Sequence, residues 1–378
     1  MTSTPTTINM DKNLFEEAAE LLRKKVREFD EAKVRCAIIG NSGSGKSSLI
    51  NAIVGKRVAM TGPTETTFDK KEYHHGGLTF VDLPGCGTPR RPQATYIHDM
   101  ELLSYDVFLI VTAGRFTEND LFLYRELTKA KKHCFVLRNR LDEAINAAQR
   151  DNGLSEVDTR SVIMANIREN LAPNPPERVY LTSAWHPQSY DLPDLLNDIL
   201  EVLSGVKKDR FAADMATLSR SALEEKKRVA EEVVKLHAAL AAANGFNPIP
   251  GVDIAADIAI LMEMGKKISH IYGFEKDQLD FIKALLDPKA WAVLTGKVAQ
   301  FTLRYIAADG IAMLIRQLAK RATVKQASKW IPFVGFLIAA GIAWKTTYAF
   351  GEQLLDDAHQ LAEEILNKMI EGRLIETC

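Results

Sequence analysis

Cysteine is scarce in this 378-residue sequence, and the four present, Cys36, Cys86, Cys134 and Cys378, fall at no metal-ligand spacing. Cys36 and Cys134 sit inside apolar, strand-like runs, so a disulfide framework and a zinc module are both excluded and a reduced, cytoplasmic chain is expected. Charge of one sign is lacking too, with 48 Lys and Arg against 49 Asp and Glu. Nucleic acid is therefore not an expected partner, and attraction to acidic lipid would need a local patch. Long apolar runs are missing: a spanning helix needs roughly 18 to 20 apolar residues, and the longest run, residues 330–344, falls short. The N-terminus has no basic stretch followed by an apolar one, so no signal peptide is expected. Thr2 stands where N-myristoylation needs glycine, and Cys378 is terminal rather than fourth from the end, so no prenylation box is read.

What the sequence does have changes in period along its length. Residues 11–30 place Leu14, Ala18, Leu21, Leu22, Val26 and Phe29 near one helical face, with Asp11 as a candidate N-cap. Short apolar runs bounded by Gly, Asp or Asn follow: VRCAIIG, LTFVDLPG, YDVFLIVTAG, HCFVLRN and RVYLTSA. Helical stretches over 46–54, 119–131, 157–170 and 192–203 alternate with them. That alternation predicts a doubly wound, mostly parallel α/β sheet with right-handed crossovers. Beyond about residue 205 the strand signal ends and an all-helical region runs to the terminus. The domain expectation is an N-terminal helical segment at 1–32, an α/β domain at 33–205 and a C-terminal helical domain at 206–378. Two similar breaks, Ile249-Pro250-Gly251 and Ile331-Pro332, each precede an apolar helix.

The chemistry concentrates at CAIIG-NSGSGKS-SLINAIVG, a strand, a GxxxxGK[ST] loop and a helix in that order. Gly40, Asn41, Ser42, Gly43, Ser44, Gly45, Lys46, Ser47 and the following Ser48 are candidate nucleotide contacts. In such a loop backbone N–H groups surround the phosphates, Lys46 reaches the β and γ phosphates, and the Ser47 hydroxyl ligates Mg2+. Asp82, in TFVDLPG at a strand end, is a candidate to hold the metal through water, with the Gly85 N–H on the γ phosphate. Between them TGPTETTF offers Thr67 to close the metal shell, with Thr66 or an inert loop as the alternative.

Base choice falls to FVLRNRLDEA, with Asn139, Arg140 and Asp142 as candidates. A carboxylate at 142 accepts two hydrogen bonds from guanine N1 and N2, and adenine offers no such pair. Arg140 replaces the Lys of the usual NKxD or TKxD signature, and Arg stacks on a purine at least as well. The plain alternative is a polar strand end with Asp142 capping the next helix. Ser183 and Ala184, ending RVYLTSA, fit a last loop whose backbone N–H meets the base oxygen. GTP and GDP are thus the expected ligands. Cys86 follows the DxxG glycine, where many small GTPases carry a water-orienting Gln. The loop supplies no arginine finger either, so slow hydrolysis by a lone copy is expected.

GNSGSGKSSLINAI, TGPTETT, VDLPGCGTP, TAGRFTENDLFL, SYDLPDLL, IPGVDIAADIAIL and IPFVGFLIAAG together resemble the immunity-related (interferon-inducible) GTPases of the dynamin superfamily, nearly end to end. The Lys46 form of the loop is similar to the family's effector branch, although non-immune relatives also carry Lys. NRLD in place of TKxD is the main departure. The resemblance implies a GTPase domain on a helical domain built from the N-terminal helix and the C-terminal helices. It implies nucleotide-dependent, face-to-face homodimers that activate hydrolysis. Glu65 then becomes the candidate catalytic carboxylate, with an exposed loop charge as its alternative. Arg115 and Asp120 become candidate dimer contacts, against a surface salt bridge or a helix N-terminus.

The family's membrane association bears on residues 330–344, apolar all round, which read as a buried helix in preference to a membrane insertion. The preceding Arg316, Lys320, Arg321 and Lys325 would meet anionic headgroups if exposed, and suit a solvated helix face equally. The leading functional expectation is a self-assembling, GTP-hydrolysing enzyme, peripheral on membranes. The alternatives are a slow GTP-dependent binding switch and a site that binds without hydrolysis.

Overall fold

A computed structural model describes residues 5–60, 70–84, 86–87, 92–244, 253–321 and 332–376. The elements are α1 (Pro5–Glu31), β1 (Val34–Ile39), α2 (Lys46–Val54), β2 (Lys71–His75), β3 (Leu78–Asp82), α3 (Gln93–Asp99), β4 (Val107–Thr112), α4 (Glu118–Lys129), β5 (His133–Arg138), α5 (Leu141–Asn152), α6 (Glu156–Asn170), β6 (Val179–Leu181), α7 (Leu192–Val202), α8 (Gly205–Asp214), α9 (Arg220–Asn244), α10 (Asp253–Tyr272), α11 (Lys276–Lys283), α12 (Pro288–Tyr305), α13 (Ala308–Arg321) and α14 (Pro332–Glu376). By contact they fall into two compact units, one around the sheet at Ala32–Ala222 with Asp280–Ile282, the other helical and drawn from Met1–Glu31, Leu223–Leu279 and Lys283–Gly372.

The sheet order is β2-β3-β1-β4-β5-β6. The five apolar runs form parallel β3, β1, β4, β5 and β6, as their double-sided burial requires. The sixth strand, β2, pairs antiparallel with β3 and carries no apolar run, because KEYHH lies at the edge and alternates exposed with half-buried positions. Chain order places the site. After β1 the chain moves to β3 on one side, then crosses to β4 on the other, so the C-terminal end of β1 opens into the crevice where such sheets bind ligands.

The sheet unit extends past the expected boundary at residue 205, to Ala222. Its cause is a buried ion pair in the last turn of α8. Arg210 donates through Nε and Nη2 to Asp214 at 2.6 and 2.8 Å, and Asp214 also accepts the Gly77 N–H at 2.6 Å. A Cβ at Gly77 would lie 2.4 Å from the Ala32 carbonyl and from the Arg210 guanidinium, so the β2–β3 turn needs glycine to approach this closely. Just beyond the helix, the Ala216 N–H donates to Ile53 O at 2.8 Å, tying the same segment to α2.

The helical unit includes α1, whose Asp30 accepts from Lys267 of α10 at 2.8 Å. Its interior carries an aromatic chain, Phe274, Phe301, Tyr305 and Phe350, with neighbouring ring centroids 5.1 to 5.7 Å apart. The wholly buried Lys226 of α9 is satisfied by Ile271 O at the end of α10, 2.6 Å away, where the helix dipole favours a cation. The 249–251 break, Trp330, Ile331, Lys325 and the side chains of 332–343, Arg316, Lys320 and Arg321 lie outside the described residues, and with them the choice between buried helix and membrane insertion. Trp344 is exposed and stacks on Tyr348 at 4.8 Å. No single described helix is long and apolar enough to cross a membrane.

Removing the Asp214 carboxylate takes away the acceptor of the Arg210 Nε and Nη2 and of the Gly77 N–H in a buried setting. Asp214→Ala should cost about 3–5 kcal/mol of stability, read as a fall in the urea midpoint.

Candidate nucleotide site

The phosphate loop leaves β1 at Gly40 and enters α2 through Gly45. A Cβ on Gly40 would fall 2.0 Å from Val111 O of β4, so no larger residue passes there. Gly45 caps α2 in a left-handed conformation, φ 84°, and a Cβ on it would strike Asn139 Nδ2 at 2.5 Å. The Lys46 ammonium is buried and curls back over the loop, donating to Gly40 O at 2.8 Å and Asn41 O at 3.3 Å. It lies 3.5 Å from Asp82 Oδ1. Asn41, Ser42 and Gly43 are exposed on the loop's outer curve, and Ser44 is buried with its hydroxyl lacking a hydrogen-bond partner.

Ser47 stands half-buried in the first turn of α2, and Asp82 is buried at the end of β3, paired in register with Ile38. One hydroxyl and one carboxylate are hard oxygen donors. The described residues contain no group of three or more His, Cys, Asp or Glu able to hold a metal by themselves. Such a sparse donor set fits Mg2+, which keeps several waters and takes phosphate oxygens, better than Ca2+ or Zn2+. Glu65, Thr66, Thr67 and Gly85 lie outside the described residues.

Three loops meet at Asn139. Its side-chain N–H groups donate to Ser44 O at 3.0 Å and Gly45 O at 3.4 Å, and its Oδ1 accepts from the Thr182 hydroxyl at 3.3 Å. The Leu141 N–H returns to Thr182 O at 3.0 Å. Asn139 is thus placed to fasten the phosphate loop to the β5 and β6 loops, with its amide occupied by protein partners. Arg140, at φ 59°, turns the chain into α5, pairs with Glu143 at 3.3 Å and stays about half exposed. Its Nε would lie 3.7 Å from a Cβ at Gly45, so its guanidinium comes beside the phosphate loop. Asp142 sits in the first turn of α5, not at its cap, and its Oδ1 is buried without a hydrogen-bond partner. Ser183 is fully buried with its hydroxyl accepting the His186 N–H at 3.3 Å, and Ala184 is half-buried beside it.

Cys86 occupies the DxxG+1 position with its side chain in the apolar cluster that also holds Leu83, Tyr96 and Leu123. Burial, and secondarily the Asp120 charge, push its thiol up to about 11, while a backbone hydrogen bond from Gly87 opposes them. A thiol packed in that cluster is a poor group for orienting water. Asp120 is buried as the reciprocal partner of Thr117 at the α4 N-terminus, with Thr117 N and Oγ1 donating to its Oδ2 at 3.0 and 2.7 Å. Asp120 thus completes the capping box at the α4 N-terminus, and Arg115 is exposed.

One residue escaped the motifs. Asn51, inside α2, accepts the N–H groups of Val58 and Ala59 at 2.8 Å each and donates to Ala59 O at 2.9 Å. It pins the loop after α2. The available signal was only a poor helix former kept within a short helix.

With Cys86 packed in the core, a longer amide there would be buried without a partner. Cys86→Gln should lower stability by about 1–3 kcal/mol in denaturant titration and leave single-turnover hydrolysis no faster.

Comparison with known proteins bears on the whole chain. The family model described as interferon-inducible GTPase (IIGP) matches residues 2–369. Interferon-inducible GTPase 5 of Bos taurus is 27% identical over 94% of this chain and 79% of its own length. Interferon-gamma-inducible GTPase 10 of Mus musculus is 25% identical over 93% and 85%. Among solved structures, a variant of Era from Aquifex aeolicus bound to GDP.AlF4- aligns over 55% of this chain and 67% of its own, at 20% identity and a TM-score of 0.34. Because the family model runs through the sheet and the helices alike, this chain belongs to the interferon-inducible GTPase family.

Proposed function

We propose that this chain binds GTP with Mg2+ in the crevice at the end of β1 and hydrolyses it to GDP and phosphate, with turnover raised when two copies meet through their sheet domains. The observation that carries the reading is the Asn139 bridge, which joins the phosphate loop to the loop holding Asp142 and to the loop holding Ser183 and Ala184. That bridge supports a single site with a phosphate-binding end and a base-reading end. Asp142 Oδ1, buried and unpartnered, is the acceptor for the guanine edge, with the Ser183 and Ala184 backbone against the base oxygen.

On this reading Gly40 to Ser48 surround the triphosphate, and Lys46 leaves the loop carbonyls for the β and γ oxygens. Bound Mg2+ would neutralise charge on those oxygens, with Ser47, Asp82 through water, and Thr67 as its protein partners. Water attacks the γ phosphorus, the bond to the β–γ bridging oxygen breaks, and that oxygen departs on GDP. The Gly85 N–H supports the γ phosphate. No side chain at 86 orients the water, which supports completion of the site by Glu65 and a second copy. Cytoplasmic residence, with peripheral membrane contact through the basic residues ahead of the 330–344 run where these are exposed, belongs to the same proposal. The second reading, a slow GTP-dependent switch, draws on the same buried Cys86.

Specific activity should rise with protein concentration, and a non-hydrolysable GTP analogue should yield dimers in sedimentation. A flat activity curve with no dimer sinks the assembly reading and leaves the switch. Asp142→Asn should relax preference for GTP over ATP, and Lys46→Ala should weaken GTP binding by about 10- to 100-fold, both read by competition against labelled GDP.

A further inference from the structure

The β6 loop displays a side chain that the nucleotide reading leaves without a task. Trp185 is 70% exposed, directly after Ser183 and Ala184, whereas large aromatics elsewhere in the sheet unit, such as Tyr96, Tyr105 and Phe108, are buried. An indole in water forgoes the burial that large aromatic groups ordinarily gain. The loop that carries it is held on both sides. At its start, Thr182 accepts the Leu141 N–H and donates to Asn139. At its end, the Asp191 N–H donates to Leu181 O at 3.0 Å, while Asp191 Oδ2 accepts the Leu181 N–H at 2.8 Å. Within it, the His186 N–H bonds to the Ser183 hydroxyl and the Ser189 N–H to His186 O. Residue 185 therefore sits at the tip of a braced turn, on the C-terminal edge of the sheet, in the loop tied to Asn139 and Leu141.

We infer that Trp185 is a nucleotide-affinity residue whose indole packs on one face of the guanine and its ribose, with the Arg140 stem on the opposite face. The inference rests on the guanine reading proposed above. One observation points to a ligand here, and a second to the wall beside it. Asp142 Oδ1 is buried with no hydrogen-bond partner in the first turn of α5, and the guanine reading makes it the acceptor for the base edge. The Arg140 Nε comes within 3.7 Å of where a Gly45 Cβ would stand, so its side chain lies next to the phosphate loop. An edge reader and one wall leave the second face of the base to be covered. A planar indole does this at low entropic cost, because only two side-chain torsions need be held. The face contact is tolerant of base identity, so Trp185 supplies affinity while Asp142 supplies choice.

The test uses the full chain and GDP. Trp185→Ala should raise the GDP dissociation constant about 5- to 100-fold, the range for losing one base–aromatic stack, and should raise that for ADP by a similar factor. Trp185→Phe, which keeps a ring, should stay within about 3-fold of the wild type. Tryptophan emission should change on adding GDP to the wild type, and this change should vanish in Trp185→Phe, whose Trp291, Trp330 and Trp344 remain. Unchanged GDP affinity in Trp185→Ala, or an emission change that persists in Trp185→Phe, overturns the inference. So does unchanged GDP affinity with a loss of concentration-dependent turnover, which would assign Trp185 to contact between copies. Asp142→Asn in parallel keeps the two readings separate. If it relaxes base choice while Trp185→Ala is silent, the guanine reading stands and only the wall fails. If neither variant affects nucleotide binding, both fail.

Discussion

The candidate site depends on the hydrogen bonds of one buried amide. Asn139 spends its donors on the phosphate-loop carbonyls and its acceptor on Thr182, so loops from β1, β5 and β6 share one anchor. A buried amide that lost these partners would carry the full cost of desolvation, about 1–3 kcal/mol for each group left unmade. The same geometry constrains Gly45, where any Cβ would enter the space of the Asn139 side chain. Composition at two distant positions is thus fixed by a single contact. The phosphate loop's shape is a property of the domain rather than of the loop alone.

Around that anchor the sheet performs a positional task. Because β1 lies between β3 and β4, the two halves of the chain diverge from its C-terminal end and leave a crevice there. Lys46 and Asp82 come within 3.5 Å across it, one from the helix after β1 and one from the end of β3. The ion pair is nearly dry, so neither charge is cheaply left alone, and a ligand that draws Lys46 away must itself supply negative charge. A triphosphate with its cation meets that condition.

Supporting contacts lie at the back of the sheet unit and beside α2. Arg210, Asp214 and Gly77 lock α8 to the β2–β3 turn, and Asn51 secures the loop that follows α2. In the helical unit Lys226 and the Asp30–Lys267 pair connect α9 to α10 and α1 to α10 through polar contacts, while the aromatic chain fills the space between helices. A buried cation such as Lys226 is stable only when satisfied, which favours the arrangement of α9 and α10 that brings it to Ile271 O over slipped alternatives.

The sequence by itself determined the parallel strands, the phosphate loop and the order of the loops at the C-terminal edge of the sheet. Those features are local: apolar runs of five or six residues bounded by Gly, Asp and Asn, and a motif whose glycines and lysine must be adjacent. It also displayed Asp142 and Cys86 at meaningful positions, since each is defined by a neighbour in the chain. The edge strand β2 was illegible because an edge has no second apolar face to declare it. Only tertiary structure decided that Asn139 reaches back 94 and 95 residues to the phosphate loop, that Asp214 reaches 137 residues to Gly77, and that the chain from 206 to Ala222 belongs with the sheet. It alone made Cys86 a core residue. Such outcomes depend on which polar atoms find partners across the fold, and that is a relation between distant residues which no local pattern contains.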